Sequence, residues 1–205
     1  MKAAIVKADG KGLAKAAAAI KAGGVVIFPT ETSYGMAADA TNPRAVEKVF
    51  KAKGRKREKA LSIIVADEKM AEKYCKMSPL ARRLAKKFMP GPLTLVVKRK
   101  GGLAANISST GTVAFRVPGH GFARALAKRA RKPITATSAN QSGAPPVYEI
   151  GKAKKLFTDK AGLIVDAGDL KKNPPSTLVD LTAKPPKILR EGALAGKIKA
   201  VLGLE

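Results

Sequence analysis

Apolar runs of strand length alternate with amphipathic stretches of helix length along most of this chain, and that alternation constrains the fold more than any other feature. VVIF from Val25, LSIIV from Leu61, LTLVV from Leu93, TVAFR from Thr112 and ITATS from Ile134 are β-branched or aromatic enough to read as strands. Between them lie lysine-laced segments with helix punctuation. Lys11 to Ala22 is closed by Gly23 and Gly24. Asn42 caps a segment with Pro43 at its first position, ending near Gly54. Asp67 to Tyr74 and Ser78 to Phe88 follow, the second stopped by Pro90, Gly91 and Pro92. Gly121 to Arg131, Tyr148 to Phe157 and a final segment complete the helices, and GLIVD, TLVDL and KILR are three closely spaced late strands. The pattern predicts an α/β sheet with helices packed on it and some antiparallel pairing among the late strands. No repeat or linker interrupts it, so a single domain over residues 1–205 is expected.

Charge narrows the partners. The chain carries 40 Lys plus Arg against 15 Asp plus Glu, so 25 positive charges lack an acidic partner even if every acid is paired. A polyanionic partner is expected; the plainer alternative is a basic surface that serves solubility. One cysteine, Cys75, excludes an internal disulfide, and with one histidine, His120, it cannot supply a zinc set. Lys7, Asp9, Lys11 and Lys15 break the alanine-rich start, leaving no apolar run for a signal or membrane span. A cytoplasmic protein without a membrane partner or a protein-held metal is expected.

Several strands empty into hydrogen-bonding groups. After Phe28 and Pro29 come Thr30, Glu31, Thr32, Ser33 and Tyr34; ITATS ends on Thr137 and Ser138, with Asn140 and Ser142 just beyond; TVAFR ends on Arg116; Ser176 and Thr177 open one late strand and Arg190 and Glu191 close another. Ligands of open α/β sheets sit beyond the carboxyl ends of strands, so one crevice is expected to collect these groups. Hydroxyls also satisfy backbone groups in tight turns, an equally good reading of Thr30 to Tyr34 taken alone. Lys53, Arg55, Lys56, Arg57 and Lys59 crowd five cations into seven residues, which favours a polyphosphate or nucleic-acid contact there.

No G-x-x-x-x-G-K-[ST] loop, Ser-His-Asp set or carboxylate pair is present. Gly119 to Arg124 matches only the first two glycines of G-x-G-x-x-G, with Arg124 in the third place. Arginines, lysines and hydroxyls without general-base carboxylates suit chemistry achieved by orientation and charge stabilisation on phosphoryl oxygens.

PTETSYGMA, the KGR of Lys53 to Arg55, FMPGPLTLV, TVAFRVPGH, TATSANQSG, STLVD and LREG occur in the order found in the YrdC-like threonylcarbamoyl-AMP synthases, and from Val25 to Gly192 the chain resembles that family. The resemblance implies a twisted, open, mixed α/β sheet around a deep basic cleft, without the long C-terminal extension of some relatives. It implies condensation of L-threonine, bicarbonate and ATP to threonylcarbamoyl-AMP and pyrophosphate, the first step in modifying the adenosine beside the tRNA anticodon. By motif, Lys53, Arg55, Ser138 and Asn140 resemble the catalytic tetrad. Arg55, Lys59, Thr112, Ser138, Asn140 and Arg190 fall at ATP contacts, with magnesium accompanying the nucleotide. Thr32, Arg116 and Ser176 resemble the threonine contacts, Arg116 suiting the carboxylate by its two-pronged donor geometry. His120 of R-x-P-x-H is assigned a structural role, bracing the loop at a helix start. Lys56 replaces a usual proline, Ile64 a histidine of some branches and Met89 a common aromatic. The resemblance adds as partners tRNA, met directly or through downstream threonylcarbamoyl-transfer proteins. A carbamoyl-adenylate-forming domain of the hydrogenase-maturation type, a non-catalytic RNA-binding module and a nucleotide-dependent assembly subunit are the alternatives.

Overall fold

The computed structural model describes residues 2–203. Its first strand, β1 (Ala4–Lys7), is largely exposed and too short to show a period in sequence. Helix α1 (Gly10–Lys21) follows at once, capped by Asp9, whose carboxylate accepts from Gly12 N at 2.7 Å, and it buries Ala16, Ala17 and Ile20. Gly12 is required there: a Cβ would lie 1.9 Å from Lys7 O.

Strand β2 (Val26–Pro29) is wholly buried, and β3 (Tyr34–Ala37) turns straight back on it, pairing Pro29 with Tyr34 and Val26 with Ala37. The hydroxyl-rich stretch is therefore the turn of a hairpin. YGMA was not expected as a strand, because it holds a glycine and no β-branched residue. Helix α2 (Pro43–Lys53) ends on Gly54 in the left-handed conformation, as its cap residues predict. The remaining elements are β4 (Ser62–Ile64), α3 (Glu68–Tyr74), α4 (Pro79–Phe88), β5 (Leu93–Lys98), β6 (Thr112–Arg116), α5 (Gly121–Ala130), β7 (Ile134–Ser138), α6 (Ile150–Phe157), β8 (Leu163–Asp166), β9 (Thr177–Asp180), β10 (Lys187–Arg190) and α7 (Ala195–Leu202).

The strands form one open mixed sheet in the order β1-β8-β2-β3-β7-β4-β6-β5-β9-β10. β8 lies parallel to β1 and β2, β4 to β6, and β5 to β9; the other neighbours are antiparallel, including the expected late pair β9 and β10. Helices α1 and α5 cover one face, and their alanines and leucines pack on Val26, Phe28, Ile64 and Val165. A larger cluster built on Ile27, Met36, Val46, Phe50, Ile63, Leu95, Phe115 and Phe157 fills the other side. Among the described residues no helix is long and apolar enough to cross a membrane.

Candidate functional site

Register brings small and polar side chains into one row across the sheet. Gly35 on β3 faces Ser138 on β7; Ala136, two residues back on β7, faces Ser62 on β4; Ile64, two residues on, faces Arg116 on β6. Side chains two apart on a strand share a face, so these residues form a common floor. They line a cleft of about 540 Å³ together with Phe28, Thr32, Arg55, Thr94, Tyr148, Ser176 and Arg190. The cleft thus lies over the sheet face, not only beyond strand ends as the sequence suggested. Gly35 makes room in it, since a Cβ there would come within 2.9 Å of the Phe28 ring. Among the described residues three arginines line the cleft and no Asp or Glu does.

At one end, α2 and the turn after β7 are locked together. Lys53 is 2% exposed, and its Nζ donates to Asn140 O at 2.8 Å, to Asn140 Oδ1 at 3.0 Å and to Ser138 O. Ser138 Oγ donates to the same Asn140 Oδ1, while Asn140 Nδ2 donates to Gln141 O and Ala144 O. Burial, with the neighbouring charge of Arg55, lowers the Lys53 pKa to about 8. Lys53 and Asn140 do not line the cleft; they stand behind Ser138, which does. Arg55 lines the cleft and arches over its own loop, donating from Nε to Lys59 O at 3.0 Å and from Nη2 to Ala60 O at 2.9 Å.

At the other end, Arg190 donates from Nη2 to Ser176 Oγ at 2.8 Å and from Nε to Ser176 O at 3.0 Å. Ser176 Oγ also shares a hydrogen with Thr94 Oγ1 at 2.8 Å. Burial, then the charge of Arg116, lowers the Arg190 pKa, so two guanidinium groups face one space without a carboxylate between them. Arg116 is ion-paired from outside the cleft to Glu31, whose Oε1 also accepts from Gly119 N at 2.8 Å.

Of the residues singled out from sequence, Thr32, Arg55, Arg116, Ser138, Ser176 and Arg190 line the cleft. Lys59 and Thr112 do not. Thr112 sits at the start of β6, four residues from Arg116, and its hydroxyl pairs with Thr110 at 2.8 Å. Thr30 follows the turn reading: its hydroxyl donates to Ser33 O at 2.7 Å and accepts from the Thr32 and Ser33 amides. His120 makes no capping bond, and its Nδ1 is buried without a partner, so the bracing role given to it is not seen. Burial lowers its pKa; the charge of Glu31 acts in the opposite sense and that of Arg116 in the same sense. Thr94, Ser62 and Tyr148 were missed. The threonine inside LTLVV was the available signal, a polar residue at a buried strand position.

Among the described residues no group of three or more His, Cys, Asp or Glu side chains is placed to hold a metal. The cleft's donors are hydroxyls and guanidinium groups, which do not fit a resident cation.

Residues 18–192 match the Sua5/YciO/YrdC family model, which carries the description telomere recombination. A threonylcarbamoyl-AMP synthase of Pyrococcus abyssi is 40% identical over 192 residues, covering 92% of this chain and 56% of that one. A putative threonylcarbamoyl-AMP synthase of Mycobacterium tuberculosis is 36% identical over 198 residues, covering 95% and 91%. The crystal structure of P. abyssi Sua5 complexed with L-threonine superposes with a TM-score of 0.92 at 37% identity, covering 99% of this chain and 61% of that one. The chain thus spans little more than half the length of its P. abyssi relative.

Proposed function

The chain belongs to the Sua5/YciO/YrdC family, and from that membership and the cleft we propose that it is an L-threonylcarbamoyladenylate synthase, acting in the cytoplasm as one domain over residues 1–205. The observation that carries the proposal is a cleft lined by three arginines and many hydroxyls and, among the described residues, no side-chain carboxylate. Such a lining favours anionic substrates and leaves no side-chain carboxylate to act as general base, so rate must come from orientation and charge stabilisation.

In the reaction, the threonine amine adds to bicarbonate carbon with loss of water and gives an N-carboxylate. A carboxylate oxygen then attacks the α-phosphorus of ATP, the new P–O bond forms as the bond to the β-phosphate oxygen breaks, and pyrophosphate leaves. Arg116 holds the threonine carboxylate, and Thr32 and Ser176 shape the side-chain end of the pocket. Arg55 and Ser138 meet the nucleotide, with Arg55 stabilising the charge on the departing pyrophosphate. Lys53 and Asn140 act one step removed, by fixing Ser138 and its turn. Arg190, tied to Ser176, joins the two halves of the cleft, and Lys59 and Thr112 are contacts at its nucleotide edge. Magnesium would enter with ATP as part of the substrate, since among the described residues the cleft offers no carboxylate to hold it.

Forty basic against 15 acidic residues suit a surface on which tRNA is met directly or alongside the proteins that take the adenylate onward. The test is pyrophosphate release with ATP, threonine and bicarbonate, each omitted in turn, followed by mass detection of the acyl-adenylate. Release only when all three are present supports the reading. Release that ignores threonine and bicarbonate, or none under any condition, overturns it.

A further inference from the structure

Glu31 stands between Thr30 and Thr32, which line the cleft, yet does not line it itself. Its side chain pairs with Arg116, which does line the cleft. There Oε1 does two things: it ion-pairs with Arg116 Nη2 and accepts from Gly119 N at 2.8 Å. A Cβ on Gly119 would lie 3.4 Å from that oxygen, so the carboxylate is packed directly against the turn between β6 and α5. The main-chain carbonyl of Glu31 accepts from Asn173 Nδ2 at 2.8 Å, which draws in the segment leading to Pro175 and Ser176. One residue therefore ties together three loops around the Arg116 end of the cleft.

We propose that Glu31 is the positioning residue for Arg116, holding its guanidinium by charge from outside the cleft so that its remaining donors face the substrate carboxylate. This rests on the threonine-binding role given to Arg116 above.

The pairing is suited to that task. Arg116 has a side chain only 10% exposed, and a buried guanidinium without a counter-charge is costly. Two-pronged pairing with Glu31 would satisfy the charge but consume the fork. Instead one oxygen makes the contact through Nη2, Glu31 Oε2 has no partner, and Arg116 Nε is buried without one. The arginine is thus neutralised but not saturated. Burial alone would raise the Glu31 carboxyl pKa; the charge and hydrogen bond of Arg116 and the Gly119 amide outweigh it and hold the group below its ordinary range. These influences together favour the carboxylate over the neutral acid.

The test is steady-state pyrophosphate release, with threonine varied at saturating ATP and ATP varied at saturating threonine, in wild type, Glu31→Gln and Glu31→Asp. Glu31→Gln keeps the acceptor for Gly119 N but loses the charge, and should raise the KM for threonine about 10- to 100-fold, the range expected when a substrate clamp is displaced. The KM for ATP should stay within about twofold, as for a change confined to one substrate's site. Glu31→Asp keeps the charge on a shorter arm and should fall between wild type and Glu31→Gln. An unchanged threonine KM in Glu31→Gln, or equal rises for threonine and ATP, overturns the proposal. Should Glu31→Gln fail to fold, Glu31→Asp decides alone, and an unchanged threonine KM there has the same force. Wild type without threonine-dependent release would instead overturn the proposed function, so the two failures are distinct.

Discussion

The ammonium of Lys53 lies 2.8 Å from Asn140 O and 3.0 Å from Asn140 Oδ1, making the end of α2 and the turn after β7 one hydrogen-bonded unit. With Ser138 O as third acceptor, all three N–H groups of the ammonium are used. A neutral amine has one donor fewer, so the turn that carries Ser138 depends on a proton which burial and Arg55 have loosened.

That dependence has a pH signature. The Lys53 pKa is lowered from its ordinary 10.5 to about 8, so between those values the unfolded chain binds the proton that the folded chain has released. Stability from this group therefore rises with pH across that window, whereas below about pH 8 the cost of burying the charge is constant. Turnover should fall as pH rises above about 8, while the urea midpoint, taken relative to Lys53→Met, should rise. A pH–rate profile and parallel denaturation curves check this; turnover that stays flat to pH 9.5 would free the turn from its need for the ammonium.

Arg55 differs from its neighbour in having nothing buried to support. Its donors go to the carbonyls of Lys59 and Ala60 in a partly exposed loop. Arg55→Ala should lower turnover about a hundredfold, the order expected for one preorganised charge donor. The unfolding free energy should change by no more than about 1–2 kcal/mol. Single-turnover rates and urea denaturation separate the two effects, and unchanged turnover in a folded variant would remove Arg55 from the phosphates.

Thr94 gives a third prediction. Its hydroxyl is the partner of Ser176 Oγ on the side away from Arg190. Thr94→Val preserves shape and deletes that partner, so it should cost about 0.5–1.5 kcal/mol of stability and raise the threonine KM by up to about tenfold. A KM for ATP that rises with it would place Thr94 elsewhere in the mechanism.

What the sequence made legible follows from how local each signal is. Asn42, Pro43 and Gly54 bound α2 because capping is decided within a few residues, and Asp67 and Ser78 cap α3 and α4 for the same reason. The hairpin of β2 and β3 was hidden because Thr30 closes the turn as well as lining the cleft, and only its bonds to Ser33 reveal the turn. β1 was hidden by brevity: four largely exposed residues gain their partner, β8, from more than 150 residues away. At the site, residues carried by motif could be named from order alone. Which of them touch the cleft could not, because that depends on the register pairing Gly35 with Ser138 and Ile64 with Arg116. Lys53 illustrates the limit, since the cluster that suggested a phosphate contact contains one cation turned inward to carbonyls and another, Arg57, paired with Glu47 at 2.8 Å.

The amino-acid preference follows from the Arg116 end of the cleft and separates an enzyme from a binding module. In the proposed role Arg116 would meet a carboxylate common to all amino acids, so discrimination would fall to the groups around Thr32, Thr94 and Ser176, which line the same cleft. Ser176 Oγ is already engaged by Thr94 and Arg190, leaving a site rich in hydroxyls next to the exposed Pro175. Serine lacks only a methyl group, and one such contact is worth about 1–3 kcal/mol, so serine should support pyrophosphate release weakly. Valine keeps the shape of threonine but offers no hydroxyl, leaving a buried polar partner unpaired, and should fail more completely. Pyrophosphate release with each amino acid, with and without bicarbonate, checks the order threonine, then serine, then valine. Valine outperforming serine would show that the side-chain end of the pocket recognises shape alone, and would withdraw Thr32 and Ser176 from the assignment while leaving Arg116 in place.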